Sequence, residues 1–382
     1  MKGRICSKGL WDETVPGIEF DAGGVSNYCR LQEAMMREFP RGEAGRQIWM
    51  KIAEKIRAAG KNKKYDCVIG VSGGTDSSYL LHLARAGYDL RPLAVNLDNG
   101  WNSDIAVQNI KKVTKALGID LETYVIDYEE IKDLLRVYMK AGLPWIDSPT
   151  DLAIQAVLFK IAAKEGIQYI LIGNDFRSEG KQPTEWTYSD SKQLKYLHRK
   201  YGRVKLKSYP LMSVYEYFWY GIFKGIKMYY PYHYLDYDKQ SARKFLMENY
   251  DWQYYGEHHH ENLFTKWAIG YWMYEKFGID KRKITYSAQI LNGVISREEA
   301  LQVISKKPFT EAEAREATAY VLKKLDLSEE DFSKIWNSGN HTFLDYPSYY
   351  RVLKKYAKPI SRVLKHLFGI KPKIFMEMNS RK

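Results

Sequence analysis

The sequence is poor in cysteine, with only Cys6, Cys29 and Cys67 among 382 residues. Three cysteines cannot build a disulfide scaffold, and their scarcity is typical of proteins in a reducing compartment. Long apolar runs are also missing, and no stretch approaches the roughly 20 residues that a membrane-spanning helix needs. The N-terminal residues lack the apolar core of a signal peptide. We therefore expect a cytoplasmic protein without a membrane span.

Positive charge is abundant but not concentrated in any one segment. The net charge is +13, yet no long block of lysine and arginine occurs. A positive net charge is compatible with binding to nucleic acid, to a membrane surface or to phosphorylated small molecules, and it does not distinguish among these ligands. Tyrosine is frequent, with 31 residues, many of them between Tyr209 and Tyr274. We interpret this Tyr-rich region as aromatic core, with a surface for sugars, bases or a partner protein as the alternative.

Strand and helix patterns alternate between residues 65 and 173. Four apolar runs predict strands, and helices closed by Gly87, Gly118 and Gly166 separate them. This rhythm predicts an α/β fold, a parallel sheet with helices on both faces. We expect it to stop after Gly173. The predicted division is an N-terminal arm and helix at 1–61, the α/β domain at 62–208, and a Tyr-rich, mainly helical region at 209–382.

One loop between the first strand and the first helix of this domain has the composition of a phosphate site. It reads SGGTDS, that is Ser72, Gly73, Gly74, Thr75, Asp76 and Ser77. Glycine backbone, hydroxyl donors and a helix N-terminus together form a cradle for a phosphate or pyrophosphate. Asp76 fits there if Mg²⁺ links it to the phosphates. The alternative is a glycine-rich turn with Asp76 near a helix start.

The loop resembles the SGGxDS pyrophosphate loop of the PP-loop ATP pyrophosphatases. That family includes GMP synthetase, asparagine synthetase and tRNA-modifying enzymes. The resemblance implies that the 62–208 domain binds ATP and Mg²⁺, and that ATP is cleaved to AMP and pyrophosphate as a substrate oxygen is adenylated. It also implies that Asn96, Leu97 and Asp98, at the end of the second strand, face the adenosine. A strand-terminal turn is the alternative for these three residues.

The loop LIGNDFRSEGKQP follows the last predicted strand and fits the same resemblance. Gly173 and Asn174 would close over the phosphates, and Asp175 would share Mg²⁺ with Asp76. Lys181 would meet the leaving pyrophosphate. A solvated loop lysine is the alternative reading of Lys181.

Two flanking segments resemble the N-acetyl sugar amidotransferases of bacterial surface-polysaccharide pathways, which make O-antigen and nonulosonic acids. They are the arm RICSKGLWDETVPGIEFDAGGVSNYC and the segment Tyr254 to Leu301, with its pieces HEN, KFGIDKR and SREEAL. The resemblance implies that the acetamido oxygen of a nucleotide-linked sugar is adenylated. Ammonia then displaces AMP and leaves an acetamidino group.

Candidate substrate residues lie in the second of these segments. His259 or His260 would contact substrate or transfer a proton, together with Glu261 and Asn262. Binding of a metal by the run His258–His260 is an alternative, although adjacent residues on a helix point in different directions. Lys281, Arg282 and Lys283 would hold the sugar-nucleotide diphosphate, or form a solvated charged turn.

The arm departs from its relatives at a zinc-type pattern. Related arms often carry two Cys-x-x-Cys pairs, whereas this chain has Cys6 followed by Gly9 and Ser26 followed by Cys29. A structural zinc normally has four protein ligands, and only Cys6 and Cys29 remain. We therefore expect no zinc and an arm that folds by packing.

The ammonia source is not evident, because no cysteine has a nearby histidine as a glutaminase nucleophile would. The resemblance implies a separate glutaminase subunit, with a barrel-type ammonia-channel subunit as a further candidate. The alternative function is a PP-loop tRNA-modifying enzyme. We expect no nucleic-acid partner, because a concentrated basic appendage and a catalytic cysteine pair are both missing. A catalytically silent nucleotide-binding protein is the third reading.

Overall fold

The computed structural model describes residues 3–256, 261–359 and 362. The strands are β1 Cys67–Gly70, β2 Pro92–Asp98, β3 Leu121–Val125, β4 Tyr169–Leu171 and β5 Lys227–Tyr229. Helices α1 to α9 are Asn27–Glu38, Gly42–Ala59, Thr75–His82, Asp104–Leu117, Tyr128–Lys140, Ser148–Lys164, Phe176–Glu179, Thr184–Thr187 and Ser191–Tyr201. Helices α10 to α17 are Val214–Phe218, Lys239–Tyr250, Leu263–Trp267, Arg282–Leu291, Arg297–Ile304, Glu311–Lys324, Glu329–Asn337 and Tyr350–Lys355.

Shorter helical segments complete the chain. Three π-helical segments continue α3, α10 and α12 and span Leu83–Gly87, Trp219–Phe223 and Ala268–Lys276. Two 3₁₀ turns lie at Pro231–His233 and Phe343–Asp345. Within the described ranges, every helix is too short or too polar to cross a membrane.

The strands form one parallel sheet in the order β3-β2-β1-β4-β5. The chain moves outward from β1 through β2 to β3, then returns to the other side of β1 for β4. The carboxyl end of β1 is thus the point where the strand order reverses, which is where ligands bind in open α/β sheets. The predicted α/β fold is confirmed.

Helices cover both faces of the sheet because successive strand residues point in opposite directions. Val68 of β1 packs with Leu93 and Val95 of β2 against α6. Ile69 faces the other way, into a core shared with α2, α3, α4 and α11. A third core joins α5 to α12, α15 and α16, and it includes the largely helical C-terminal region that we predicted.

One strand lies beyond Gly173, where we expected the strand–helix rhythm to stop: β5 follows at Lys227–Tyr229, after helices α7 to α10, and pairs with β4. This edge strand is only three residues long and reads KMY, so it carries no apolar run that could have predicted it. The sheet therefore extends past the boundary that we predicted at residue 208. The division into domains stays a prediction.

The N-terminal arm folds back on itself around its two cysteines. Isolated β-bridges join Ile5 to Asp12 and Phe20 to Ser26. Cys6 and Cys29 are both fully buried, and their thiols hydrogen-bond to each other. That bond lowers the pKa of Cys6 to about 5, against the opposing effect of burial. Packing and hydrogen bonds hold the arm in the described structure.

Candidate functional site

The loop Ser72–Ser77 lies between β1 and α3, as predicted, and its shape depends on its glycines. Gly73 has φ of +80°, and a methyl group added there would lie 2.2 Å from the carbonyl oxygen of Ala106. The Ser72 N–H donates to Ser77 Oγ at 3.2 Å, which folds the loop over the start of the helix. Gly74 is the N-cap residue of α3, and no side chain caps this helix. Its N-terminal N–H groups are thus the donors expected of an oxyanion cradle.

Asp76 is contacted by one lysine and two tyrosines of the Tyr-rich region. The lysine and one tyrosine bind its carboxylate, and the other tyrosine binds its backbone carbonyl. Lys239 donates to Asp76 Oδ2 at 2.7 Å, and the Tyr237 hydroxyl donates to Oδ1. The Tyr232 hydroxyl donates to the carbonyl oxygen of Asp76 at 2.7 Å. Burial opposes the charge on Lys239, but Asp76 outweighs it and the pKa of Lys239 is raised. A permanent positive charge therefore lies beside the cradle.

Two further side chains face the cradle from the segment that precedes α12. A methyl group added at Gly74 would lie 3.0 Å from the Tyr255 hydroxyl and 3.3 Å from Glu261 Oε1. Thr75 hydrogen-bonds to Tyr255 through its backbone and its side chain, whereas burial, followed by Glu261 and Asp76, raises the pKa of Tyr255. The Tyr255 hydroxyl therefore lies beside the N–H donors at the start of α3, at the place where a bound oxyanion would lie. Predicted substrate residue Glu261 is thus brought to the loop.

The end of β2 lies beside the loop. The Asn96 amide donates to the carbonyl oxygen of Val71 at 2.8 Å, which ties the end of β2 to the start of the loop. Leu97 packs between two of the cores, and Asp98 accepts from the Gly100 N–H at 2.9 Å. These contacts position the strand end, and the adenosine role of Asn96, Leu97 and Asp98 stays a prediction.

The loop after β4 approaches Asp76 closely at one point. A methyl group added at Gly173 would lie 3.0 Å from the carbonyl carbon and oxygen of Asp76, a tight contact that glycine avoids. Asn174 donates to Glu179 at 3.1 Å, and Lys181 donates to the Gln182 carbonyl at 2.9 Å. Gly173 therefore has a steric role, while the phosphate roles of Gly173, Asn174 and Lys181 stay predictions.

Asp175 is held by an arginine that the sequence analysis missed. Arg41 donates to Asp175 Oδ2 at 2.8 Å, and the Arg177 N–H donates to Oδ1 at 3.2 Å. The carboxylate is 1% exposed, and burial raises its pKa although Arg41 opposes the rise. These contacts favour a structural role, and sharing of Mg²⁺ with Asp76 stays a prediction.

Lys281 lies in a second polar cluster, at the start of α6. Its ammonium group is 4.3 Å from the centre of the Trp145 ring, and the Trp145 indole donates to Asp151 at 2.6 Å. Burial lowers the pKa of Lys281 to about 8, although Asp151, Glu179 and Asp147 favour its charge. A desolvated lysine of this kind suits an anionic group, which fits the predicted diphosphate contact.

Other predicted substrate residues have structural partners. Arg282 is bonded to Asp280 at 2.7 Å and to the carbonyl oxygen of Lys306 at 2.8 Å, which holds the end of α14. Asn262 caps α12 by accepting from the Thr265 N–H at 3.0 Å. Their substrate roles stay predictions. His258, His259 and His260 lie outside the described residues. Within those residues, no group of three or more His, Cys, Asp or Glu side chains could hold a metal ion.

Sequence reasoning missed the residues that reach the loop from far along the chain. Tyr232, Tyr237, Lys239 and Tyr255 all belong to the Tyr-rich region. Trp252 donates from its indole to the carbonyl oxygen of Gly73 at 3.2 Å. The only signal was the density of tyrosine itself, which did not single out any position.

The C-terminal part of the chain matches a family of known proteins. Residues 261–359 match the family described as LPS biosynthesis protein WbpG-like, C-terminal domain. This segment is therefore similar to that family, and the resemblance to surface-polysaccharide enzymes that we found between Tyr254 and Leu301 is confirmed. An uncharacterized protein of Methanocaldococcus jannaschii is 31% identical over 115 residues, which are 29% of this chain and 39% of that protein. The chain thus spans well under half of that relative.

Several solved structures are similar at low identity. NMN synthetase from Francisella tularensis is 13% identical, with a TM-score of 0.36 over 80% of this chain and 95% of that one. The NH3-dependent NAD synthetase from Campylobacter jejuni is 13% identical, with a TM-score of 0.30 over 78% and 94%. A predicted subunit of tRNA methyltransferase from Methanocaldococcus jannaschii is 14% identical, with a TM-score of 0.28 over 48% and 75%. The α/β assignment therefore rests on the sheet itself.

Proposed function

We propose that this chain is an ATP-dependent amidotransferase that acts on a nucleotide-linked N-acetyl sugar and converts its acetamido group to an acetamidino group. ATP is cleaved to AMP and pyrophosphate. The ammonia comes from a separate glutaminase subunit, with a barrel-type ammonia-channel subunit as a further candidate partner.

The observation that supports this most is the contact between the LPS-biosynthesis segment and the SGGTDS loop. The Ser103 N–H donates to the carbonyl oxygen of Glu261 at 2.9 Å, and the Leu263 N–H donates to that of Trp101 at 3.0 Å. These bonds fix the first residues of the segment to the connection between β2 and α4, and Glu261 Oε1 then faces Gly74. A substrate held by this segment would meet a nucleotide held by the loop.

The first chemical step forms a bond between the acetamido oxygen and the α-phosphorus of ATP, and pyrophosphate leaves. The amide nitrogen loses its proton, for which the carboxylate of Glu261 is an acceptor at the cradle, and the product is a neutral O-adenylyl imidate. The N–H groups at the start of α3 and the ammonium of Lys239 stabilise charge that grows on the leaving pyrophosphate.

The second step adds ammonia to the imidate carbon and expels AMP. An amide oxygen is a poor leaving group, whereas AMP leaves as a stable phosphate monoester, so adenylation makes the substitution feasible. Asp76 offers the hard oxygen ligand that Mg²⁺ prefers, and Mg²⁺ is commonly held by one carboxylate together with substrate phosphates. When bound, it would neutralise charge on those phosphates.

The test is release of pyrophosphate from ATP and Mg²⁺, with an ammonium salt and a panel of UDP- and CMP-linked N-acetyl sugars. We expect release with one sugar only, and a product lighter than that sugar by the difference between O and NH. Asp76→Asn should abolish release, whereas Asp104→Asn, in the first turn of α4 rather than of α3, should not.

Two results would contradict the proposal. Release that requires bulk tRNA instead of a sugar would point to a tRNA-modifying enzyme. Binding of ATP without release under any condition would point to a catalytically silent nucleotide-binding protein.

A further inference from the structure

A helix on the flank of the sheet exposes a continuous apolar stripe. Residues 214–223 read VYEYFWYGIF, and six of their side chains are exposed. Apart from Tyr217 (46% exposed), these are Tyr215 (81%), Phe218 (42%), Trp219 (51%), Ile222 (48%) and Phe223 (71%). Their spacing of i, i+3, i+4, i+7 and i+8 puts them on one side of the helix. We call these five residues the aromatic face. Single exposed apolar residues are ordinary, but a contiguous set marks an interaction surface.

The fold holds this helix in place. On its opposite side, Tyr217 and Tyr220 pack on Phe159 of α6, with ring centres 5.4 and 6.1 Å apart. Ser213 and Glu216 form a capping box at its start. Trp219 and Phe223 stack on each other with their ring centres 4.7 Å apart. The aromatic face is therefore a preformed surface.

Several lysines lie close to this helix. Lys224 follows the helix directly, and Lys227 begins β5. The capping bonds of Ser213 and then the charges of Lys160 and Lys195 keep the pKa of Glu216 below its usual value. Glu216 is the only acidic residue of the helix, and its carboxylate is engaged in the cap. The helix that carries the aromatic face thus has lysines near it, and its one carboxylate is engaged in the cap.

The aromatic face lies toward the edge of the sheet opposite the SGGTDS loop. The Lys227 N–H donates to the carbonyl oxygen of Gln168 at 2.8 Å. Lys227 begins β5, and Gln168 directly precedes the first residue of β4. The loop follows the carboxyl end of β1, and all five strands are parallel. An occupant of the aromatic face would therefore leave the mouth of the site open.

We propose that the aromatic face docks this protein on an anionic lipid surface. Exposed tryptophan, phenylalanine and tyrosine beside lysine are the composition of helices that lie in the membrane interface. A second copy of the chain would bring two sets of these lysines together, and a stable interface takes about 20–30 residues a side. A subunit that delivers ammonia would have to contact the opposite edge of the sheet, where the SGGTDS loop lies, and not the aromatic face. The proposal does not depend on the proposed function.

The experiment measures co-sedimentation of the full chain with vesicles of phosphatidylcholine, alone or with about a quarter phosphatidylglycerol. We expect binding only to the anionic vesicles and its loss at high salt. Trp219→Ser/Phe223→Ser should lower binding about tenfold or more. Lys224→Glu should weaken it with the aromatic residues intact.

The matched control is Met50→Ser/Met247→Ser, which removes side chains that are 52% and 49% exposed on other surfaces. It should bind vesicles like the wild type, and each of these variants should release pyrophosphate in solution at the wild-type rate. Wild-type protein that ignores anionic vesicles, or equal binding by the Trp219→Ser/Phe223→Ser variant, overturns the proposal. If vesicles are ignored and that variant also has a smaller mass by light scattering, the occupant is a second copy.

Discussion

The ammonium group of Lys239 lies 2.7 Å from Oδ2 of Asp76, although the two residues are 163 positions apart. The Asp76 side chain is 18% exposed and that of Lys239 33%, so a ligand can reach both. Lys239 thus supplies a cation to a loop whose backbone already favours anions. In the proposed reaction, the ammonium group of Lys239 can leave Asp76 and bind a phosphate oxygen after only a short movement.

We expect Lys239→Gln to lower the rate of pyrophosphate release about 100-fold to 1000-fold, which is the usual effect of removing one group that stabilises developing charge. The control is Lys244→Gln on the same helix, where the lysine pairs with Glu248 at the surface. Steady-state kinetics on both variants checks the prediction. Equal rates for the two would show that Lys239 only balances the charge of Asp76.

Gly73→Ala should destabilise the fold and abolish pyrophosphate release. The added methyl group would lie 2.2 Å from the carbonyl oxygen of Ala106, at a backbone φ of +80° that alanine rarely adopts. We expect a loss of about 2–3 kcal/mol in the free energy of unfolding, measured with urea. Gly87→Ala is the control, because its methyl group would lie 3.8 Å from Leu83, an ordinary contact. A stable Gly73→Ala protein would contradict the steric account.

The loop could be predicted because its signal is local. A strand, the letters SGGTDS and a helix follow each other within a few residues, and the parallel sheet then fixes where they lie. Lys239 and Arg41 could not be predicted, because their contacts with Asp76 and Asp175 exist only after distant segments pack. Pattern reasoning finds the backbone cradle, whereas side chains that complete it depend on tertiary structure.

Arg41→Met should destabilise the protein by about 3 kcal/mol, because it leaves the carboxylate of Asp175 buried without its cation. Asp175→Asn/Arg41→Met should recover part of this loss. Urea unfolding of the three proteins checks both statements. Because Arg41 already neutralises Asp175, we expect Asp175→Asn alone to leave the Mg²⁺ requirement of pyrophosphate release unchanged. A raised Mg²⁺ requirement would instead support a cation shared with Asp76.

The buried thiols of the arm suggest a gain-of-function test. The resemblance drawn from the sequence implies that Gly9 and Ser26 take the positions of two further cysteines. Ser26 lies next to Cys6, with its N–H donating to the Cys6 sulfur at 3.3 Å. We expect Gly9→Cys/Ser26→Cys to bind about one zinc per chain, because the arm then carries two Cys-x-x-Cys pairs, the four ligands of a structural zinc. The Trp11 ring must shift, since a methyl group at Gly9 would lie 2.7 Å from it.

Zinc content by elemental analysis distinguishes the variants. Wild-type protein and each single variant should retain far less than one equivalent. One full equivalent in the wild type would overturn the expectation that the arm folds without zinc.

Lys281 should make stability depend on pH in the alkaline range. Burial lowers its pKa to about 8, whereas an unfolded lysine titrates near 10.4. Between about pH 8 and 10.4 the unfolded chain binds more protons than the folded protein, so the unfolding free energy should rise with pH. The substitution Lys281→Met removes this pH-dependent contribution to the unfolding free energy. The wild type should therefore gain about 1–2 kcal/mol relative to Lys281→Met across that window, after allowance for partial exposure.

Urea unfolding at a series of pH values measures this difference, and Lys244→Met, which removes an exposed lysine, is the control. The control should run parallel to the wild type, because its side chain is 77% exposed. A constant difference between wild type and Lys281→Met would mean that Lys281 keeps its proton throughout. In that case the carboxylates of Asp147, Asp151 and Glu179 would outweigh burial, and Lys281 would meet the substrate diphosphate as a permanent cation.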